Sequence, residues 1–93
     1  MELNVRPAKV MSISYKAGDY NPDVVVAHIT IENGDVFTCM EVLDNKINSE
    51  HFPTPYASLM NVPLNTWGML FFGNRNGYKH PTFVGFIKAS KNA

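Results

Sequence analysis

The chain has one cysteine, Cys39, so no intramolecular disulfide can form and the small secreted disulfide scaffolds are excluded. It has no run of about 18 apolar residues, and no basic segment leads into an apolar stretch near its start. A membrane span is therefore not expected, and a cytoplasmic location is. Charge of a dominant sign is missing as well, because eight Lys and Arg balance eight Asp and Glu. That balance removes the long-range positive field on which non-specific nucleic-acid binding relies, so no DNA or RNA partner is expected. It also removes repulsion between copies, which favours a homo-oligomer wherever an apolar patch is exposed.

Recognisable chemistry is absent too. The serines lie in no nucleophile-elbow context, no glycine pattern matches a dinucleotide fingerprint or phosphate loop, and the carboxylates are scattered singly. His28, Cys39, His51 and His80 have the side chains of metal ligands without the short spacing of a zinc site. No catalytic residue, metal or cofactor is nominated, and the chain reads as a non-enzyme.

What is present is enough to fold. Hydrophobic residues make up 45% and charged residues 17% of 93 positions, well away from disordered compositions, and the length suits one domain over residues 1–93. Residues 8–43 are strand-like, residues 44–65 carry Pro53, Pro55 and Pro63 among polar residues, and residues 66–88 are aromatic and strand-like. The fold class expected is α+β: an antiparallel sheet of five or six strands with one short helix in the middle connector.

Asn33 and Gly34, between two apolar runs, predict a hairpin with a two-residue type I′ turn. That turn would set Ile31 opposite Val36, Ile29 opposite Thr38, Ala27 opposite Met40 and Val25 opposite Val42 on an apolar face. His28 would then face Cys39 on the other side, with Glu41 two residues along. Residues 10–15 alternate as a strand with one wet face, while residues 3–6 suit a short strand that Pro7 either confines to an edge or ends. Thr54 and Pro55 read as an N-cap and first helical residue, with Tyr56, Leu59 and Met60 turned inward and Pro63 ending the helix.

Three groups of residues could carry function. In residues 73–80, two glycines with Arg75, Lys79 and His80 are the parts of an anion nest, so Arg75, Asn76, Gly77, Tyr78, Lys79 and His80 form a candidate site for a nucleotide or phosphorylated ligand. A polar hairpin loop with solvated cations is the plainer account of the same segment. Phe52, Tyr56 and Trp67 are anchor-type residues near a proline-bearing arm and are candidates for contact with a protein partner. His28 beside Cys39 is a thinkable thiolate–imidazole pair, although a lone cysteine among Phe37, Met40 and Val42 is usually an inert small hydrophobe.

The function expected is that of a non-enzymatic binding protein that acts by occupying a partner surface, as an inhibitor does. By association, a short asparagine-rich chain of this kind suits a viral or mobile-element accessory protein. The alternatives are an oligomeric small-molecule binder that sequesters a nucleotide, and an enzyme using His28, Cys39 or His80.

Overall fold

The computed structural model describes residues 2–17, 24–42, 56–74, 77 and 79–89. Among these residues five strands form in chain order: β1 (Glu2–Ala17), β2 (Val24–Ile31), β3 (Val36–Val42), β4 (Trp67–Asn74) and β5 (Thr82–Lys88). They close into a barrel in the order β1-β2-β3-β5-β4, with β4 returning to β1. All pairings are antiparallel except β3 with β5, which run parallel and meet at Met40 and Thr82. The Met40 amide donates to the Pro81 carbonyl at 2.8 Å and completes that closure. The fold is therefore mostly β: the expected five-stranded sheet is present, but it closes into a barrel, one of its pairings is parallel, and the α+β class expected is met only in part because a single 3-10 turn stands where the helix was expected.

The two short segments read as separate strands at residues 3–6 and 10–15 are one strand, β1. Residues 2–9 pair with β4 and residues 10–17 pair with β2, so the strand changes partner halfway along. A register shift between Val10 and Ser12 bends it at the changeover, as bulges do where a sheet curls into a barrel. There the Asn65 amide, in a left-handed turn at φ 58°, donates to the Val10 carbonyl. Pro7 sits where β1 has β4 alone as its partner. The Lys9 amide points away from β4, onto the Glu32 carboxylate at 3.0 Å, and by alternation the amide-less Pro7 nitrogen faces the same open side. No ladder bond is lost to proline there.

The β2–β3 hairpin forms, but its turn has three residues and its register is displaced by one. The Gly34 amide donates to the Ile31 carbonyl and the Ile31 amide to the Asp35 carbonyl. Gly34 has φ of +89° while Asn33 is not in the left-handed region, which is a type I turn closed by a glycine bulge instead of type I′. Asn33 is used differently: its side chain accepts from the Asp35 amide and donates to the Asp35 carboxylate, stabilising the longer loop. Ala27 therefore faces Cys39 and His28 faces Thr38. The inward set of β2 (Ala27, Ile29, Ile31) is the one expected, and that of β3 is reversed: Cys39 and Glu41 point in while Thr38, Met40 and Val42 point out.

The expected helix is a single 3-10 turn, Leu59–Asn61, among the described residues; Thr54 and Pro55 lie outside them. A stretch this short cannot offset the cost of helix nucleation, and Pro63 forbids extension. What holds the turn is tertiary. The Glu41 carboxylate, buried inside the barrel, accepts the Leu59 amide at 2.6 Å and the Ser58 hydroxyl at 3.1 Å. Leu59 and Val62 consequently join Ala8, Val10, Ile29, Leu70, Phe83 and Phe86 in the core, while Met60 points to solvent. Gly68 lets β4 approach β5, since a Cβ there would collide with the Phe86 ring and the Ile87 carbonyl.

Candidate binding surfaces

Strand alternation gives the barrel two outward faces of different chemistry, both containing part of β1. On the first, formed by β1, β4 and β5, Val5 lies beside Phe71 and Gly85, Pro7 beside Met69 and Ile87, and Lys9 beside Trp67. Leu3 is 41% exposed, Val5 52%, Trp67 48% and Ile87 40%, with Met69 and Phe71 half-buried between them. The Lys9 ammonium lies 5.8 Å from the Trp67 ring centroid. This is a contiguous apolar sheet face with one aromatic and one cation at its rim, the composition of protein contact surfaces.

The second face is formed by β1, β2 and β3. Ser12, Thr30 and Val36 make one row, Ser14, His28 and Thr38 the next, and Lys16, Val26 and Met40 the third. The His28 Nδ1 and the Thr38 hydroxyl are 3.0 Å apart in a half-buried hydrogen bond. No carboxylate stands in these rows, because Glu41 turns inward and Glu32 and Asp35 sit at the hairpin tip. The hydrogen bond from Met40 to Pro81 brings the end of the β4–β5 connection beside this face, with Lys79 exposed and His80 half-buried just before Pro81.

A third feature is internal. Cys39 is buried, and burial followed by the Glu41 charge pushes its thiol up to about 12. Burial, then Glu41, then Cys39 push the Tyr15 hydroxyl up to about 12. Cys39 is thus a neutral thiol facing the barrel interior while His28 faces outward, so the displaced register separates the pair proposed from sequence. Tyr15 also lines a shallow groove of about 180 Å³ with Ile13, Leu59, Met60, Val62 and Leu64. Among the described residues no three His, Cys, Asp or Glu side chains gather as a metal site, and no helix is long and apolar enough to cross a membrane.

Of the candidate anion site, Arg75, Asn76 and Tyr78 lie outside the described residues. Gly77 is exposed at φ +85°, which serves turn geometry, and Lys79 and His80 are placed as above. Of the anchor residues, Phe52 lies outside the described residues. Tyr56 is half-buried, its ring meeting Phe86 edge-on at 6.0 Å between centroids, and is spent on the core. Of the two described anchors, Trp67 is the one that stands on an open face. Its neighbours Leu3, Val5, Met69 and Ile87 were not singled out from sequence, although the alternation of Leu3 and Val5 with Asn4 and Arg6 carried the signal. The chain matches no protein-family model, no curated protein and no solved structure.

Proposed function

We propose that this protein is a non-enzymatic binding protein that occupies the surface of a protein partner, docking through the outer face of β1, β4 and β5 with Trp67 as the anchor. The observation that carries this is the row of exposed apolar side chains, Leu3, Val5, Trp67 and Ile87, on a regular sheet face that the core does not use. Tryptophan at a rigid position contributes a large apolar area with little entropy lost on binding, and Lys9 beside it supplies a polar rim. Masking a partner needs no catalytic residue, which agrees with a buried neutral cysteine and a histidine on the opposite face.

The test is site-specific photo-crosslinking in extracts of the native host, with the probe at Ile87 or, as a control, at Val26 on the other face. A discrete adduct is expected from Ile87 alone. Trp67→Ser in the purified pair should weaken binding about 30-fold, the loss of one anchor worth ~2 kcal/mol, with an unchanged circular dichroism spectrum. Adducts formed equally from both positions, or binding indifferent to Trp67→Ser, would remove this face from the function.

A single nucleic-acid strand is the second candidate, favoured by the face of β1, β2 and β3, whose rows carry Lys16 and His28 and no carboxylate, with Lys79 and His80 in the segment that leads to the Met40–Pro81 hydrogen bond at its side. Five-stranded Greek-key barrels of the oligonucleotide- and oligosaccharide-binding type take ligands on the face of strands 2 and 3, although a shared architecture does not by itself confer a function. The zero net charge describes the whole chain and is silent about one face. Fluorescence anisotropy with a labelled single strand at low salt decides it: binding should weaken steeply with salt and with Lys16→Glu, and a flat titration ends it. A free nucleotide or phosphorylated metabolite would use the same cations. It would show as a thermal shift lost in Lys79→Ala.

A further inference from the structure

The first half of β1 is an edge strand. Residues 2–9 pair with β4 on one side, and no described strand pairs with the other. On that open side point the amides and carbonyls of the odd-numbered residues, as the Lys9 amide shows by meeting Glu32 there. Lys9 is capped by that carboxylate and Pro7 has no amide, so both guard one end of the edge in the usual manner. Leu3 and Val5 carry no such protection, and residues 2–7 are all exposed.

We propose that this edge is a homodimer interface, in which a second copy of the chain pairs antiparallel with residues 2–6 about a twofold axis at Asn4. The residues are self-complementary in that register. Glu2 comes opposite Arg6 of the second copy and Arg6 opposite its Glu2, while Leu3 meets Val5 and Val5 meets Leu3. An isologous contact requires this: each residue must find its complement at the symmetry-related position. The hydrogen-bond phase agrees as well. Leu3 and Val5 both direct their backbone groups to the open edge, so each Leu3–Val5 couple exchanges two bonds, and the Glu2–Arg6 couples fall at the closer, non-hydrogen-bonded positions where side chains meet. Moving the axis to Val5 would oppose Leu3 to Pro7, which cannot donate, and would lose the charge pairing. Moving it to Leu3 would oppose Glu2 to Asn4 and again lose the charge pairing.

Pairing at the edge leaves the outer face open and extends it. Leu3 and Val5 of both copies would lie side by side across the axis, joining two apolar sheets into one with a Trp67 on each wing. The dimer stands or falls independently of the docking partner, because it uses the backbone edge and not the outward side chains of β4 and β5.

Four variants test it by multi-angle light scattering and sedimentation. The native chain should give twice the monomer mass of 10.4 kDa at high concentration and dissociate on dilution. Val5→Pro removes an amide from the open edge alone, since even-numbered residues serve β4, so it should yield a folded monomer with native circular dichroism. Glu2→Arg should weaken the dimer at least tenfold, and adding Arg6→Glu should restore it. Asn4→Cys in a Cys39→Ala background should form an intermolecular disulfide under mild oxidation, because the two Asn4 positions face each other at a close pair. A monomer at every concentration overturns the proposal. So does a dimer indifferent to both the charge swap and Val5→Pro, or one in which Asn4→Cys fails to cross-link.

Discussion

Two side-chain clusters inside the barrel, four residues apart along β3, do the same task by opposite means. Around Phe37 the interior is filled by aromatic contacts: Phe72 meets Phe37 edge-on at 5.1 Å between centroids, and the Arg6 guanidinium lies 5.6 Å from the Phe37 ring. Around Glu41 it is filled by a buried carboxylate that holds the 3-10 turn by its amide and hydroxyl donors and has Tyr15 and Cys39 as neighbours. The aromatic cluster depends on volume, and its contacts tolerate small displacements. The carboxylate cluster depends on direction, because a buried donor left without an acceptor costs more than the hydrogen bond it made. The 3-10 turn between β3 and β4 therefore takes its side-chain hydrogen bonds from one residue of β3.

The contrast can be broken from the aromatic side first. Phe72→Ala removes a ring from the core and leaves a cavity that a closed barrel cannot collapse, so unfolding in urea should show a loss of about 3 to 5 kcal/mol. On the polar side, Glu41→Ala should cost about 2 kcal/mol by leaving the Leu59 amide unpaired, while Glu41→Gln, which still offers an acceptor, should cost roughly half as much. Equal losses in the two Glu41 variants would show that shape, not hydrogen bonding, sets that cluster. Hydrogen exchange at Leu59 should accelerate in Glu41→Ala and not in Phe72→Ala.

Raising pH should discriminate the clusters next. The folded Cys39 thiol is pushed up to about 12 from an ordinary value of 9.0, so between these pH values the unfolded chain has lost a proton that the folded chain keeps. Stability contributed by this group is complete below pH 9 and falls as pH rises towards 12, with a limiting slope of about 1.4 kcal/mol per unit. Tyr15, 45% exposed, adds a smaller decline above pH 10 because solvent screens it. Cys39→Ala should flatten the decline above pH 9, and the wild-type thiol should react with aromatic disulfide reagents only as fast as the chain opens. Reaction at the rate of a free thiol would mean that Cys39 is accessible. The smallest effect expected is Phe37→Leu, about 1 kcal/mol for the lost edge-on ring contact, measured against Phe72→Leu in a double-mutant cycle.

Much of the strand inventory was legible in residues, and the faces were legible in part. The apolar alternation of Ala27, Ile29 and Ile31 correctly marked the inward side of β2, since burial of a period-2 stripe is dictated locally. Its partner β3 could not be assigned in the same way. Asn33 and Gly34 allow either a two-residue turn or a three-residue turn with a bulge, and a difference of one residue sends every side chain of β3 to the opposite face. By hydrophobicity Met40 and Val42 are better core residues than Cys39 and Glu41. They lost the interior because Glu41 has donors to meet there, from a turn seventeen and eighteen residues further on. The candidate surfaces follow the same division. Trp67 was visible as an anchor by type, whereas the acid-free face of β1, β2 and β3 exists only because Glu41 is turned inward.

Sequence alone determined that the chain is rich in strands, that its Cys39 forms no internal disulfide, that a hairpin turns near Gly34 and that Pro7 must stand where no amide is needed. Tertiary structure alone decided that β1 is shared between two partners, that β3 and β5 run parallel, which side of β3 is buried, and that the described strands leave one edge of residues 2–6 unpaired. The physical reason is range. Backbone preference and side-chain period act within a few residues, but register and closure are set by contacts between segments far apart in the chain, where one buried carboxylate and one extra turn residue outweigh local hydrophobicity.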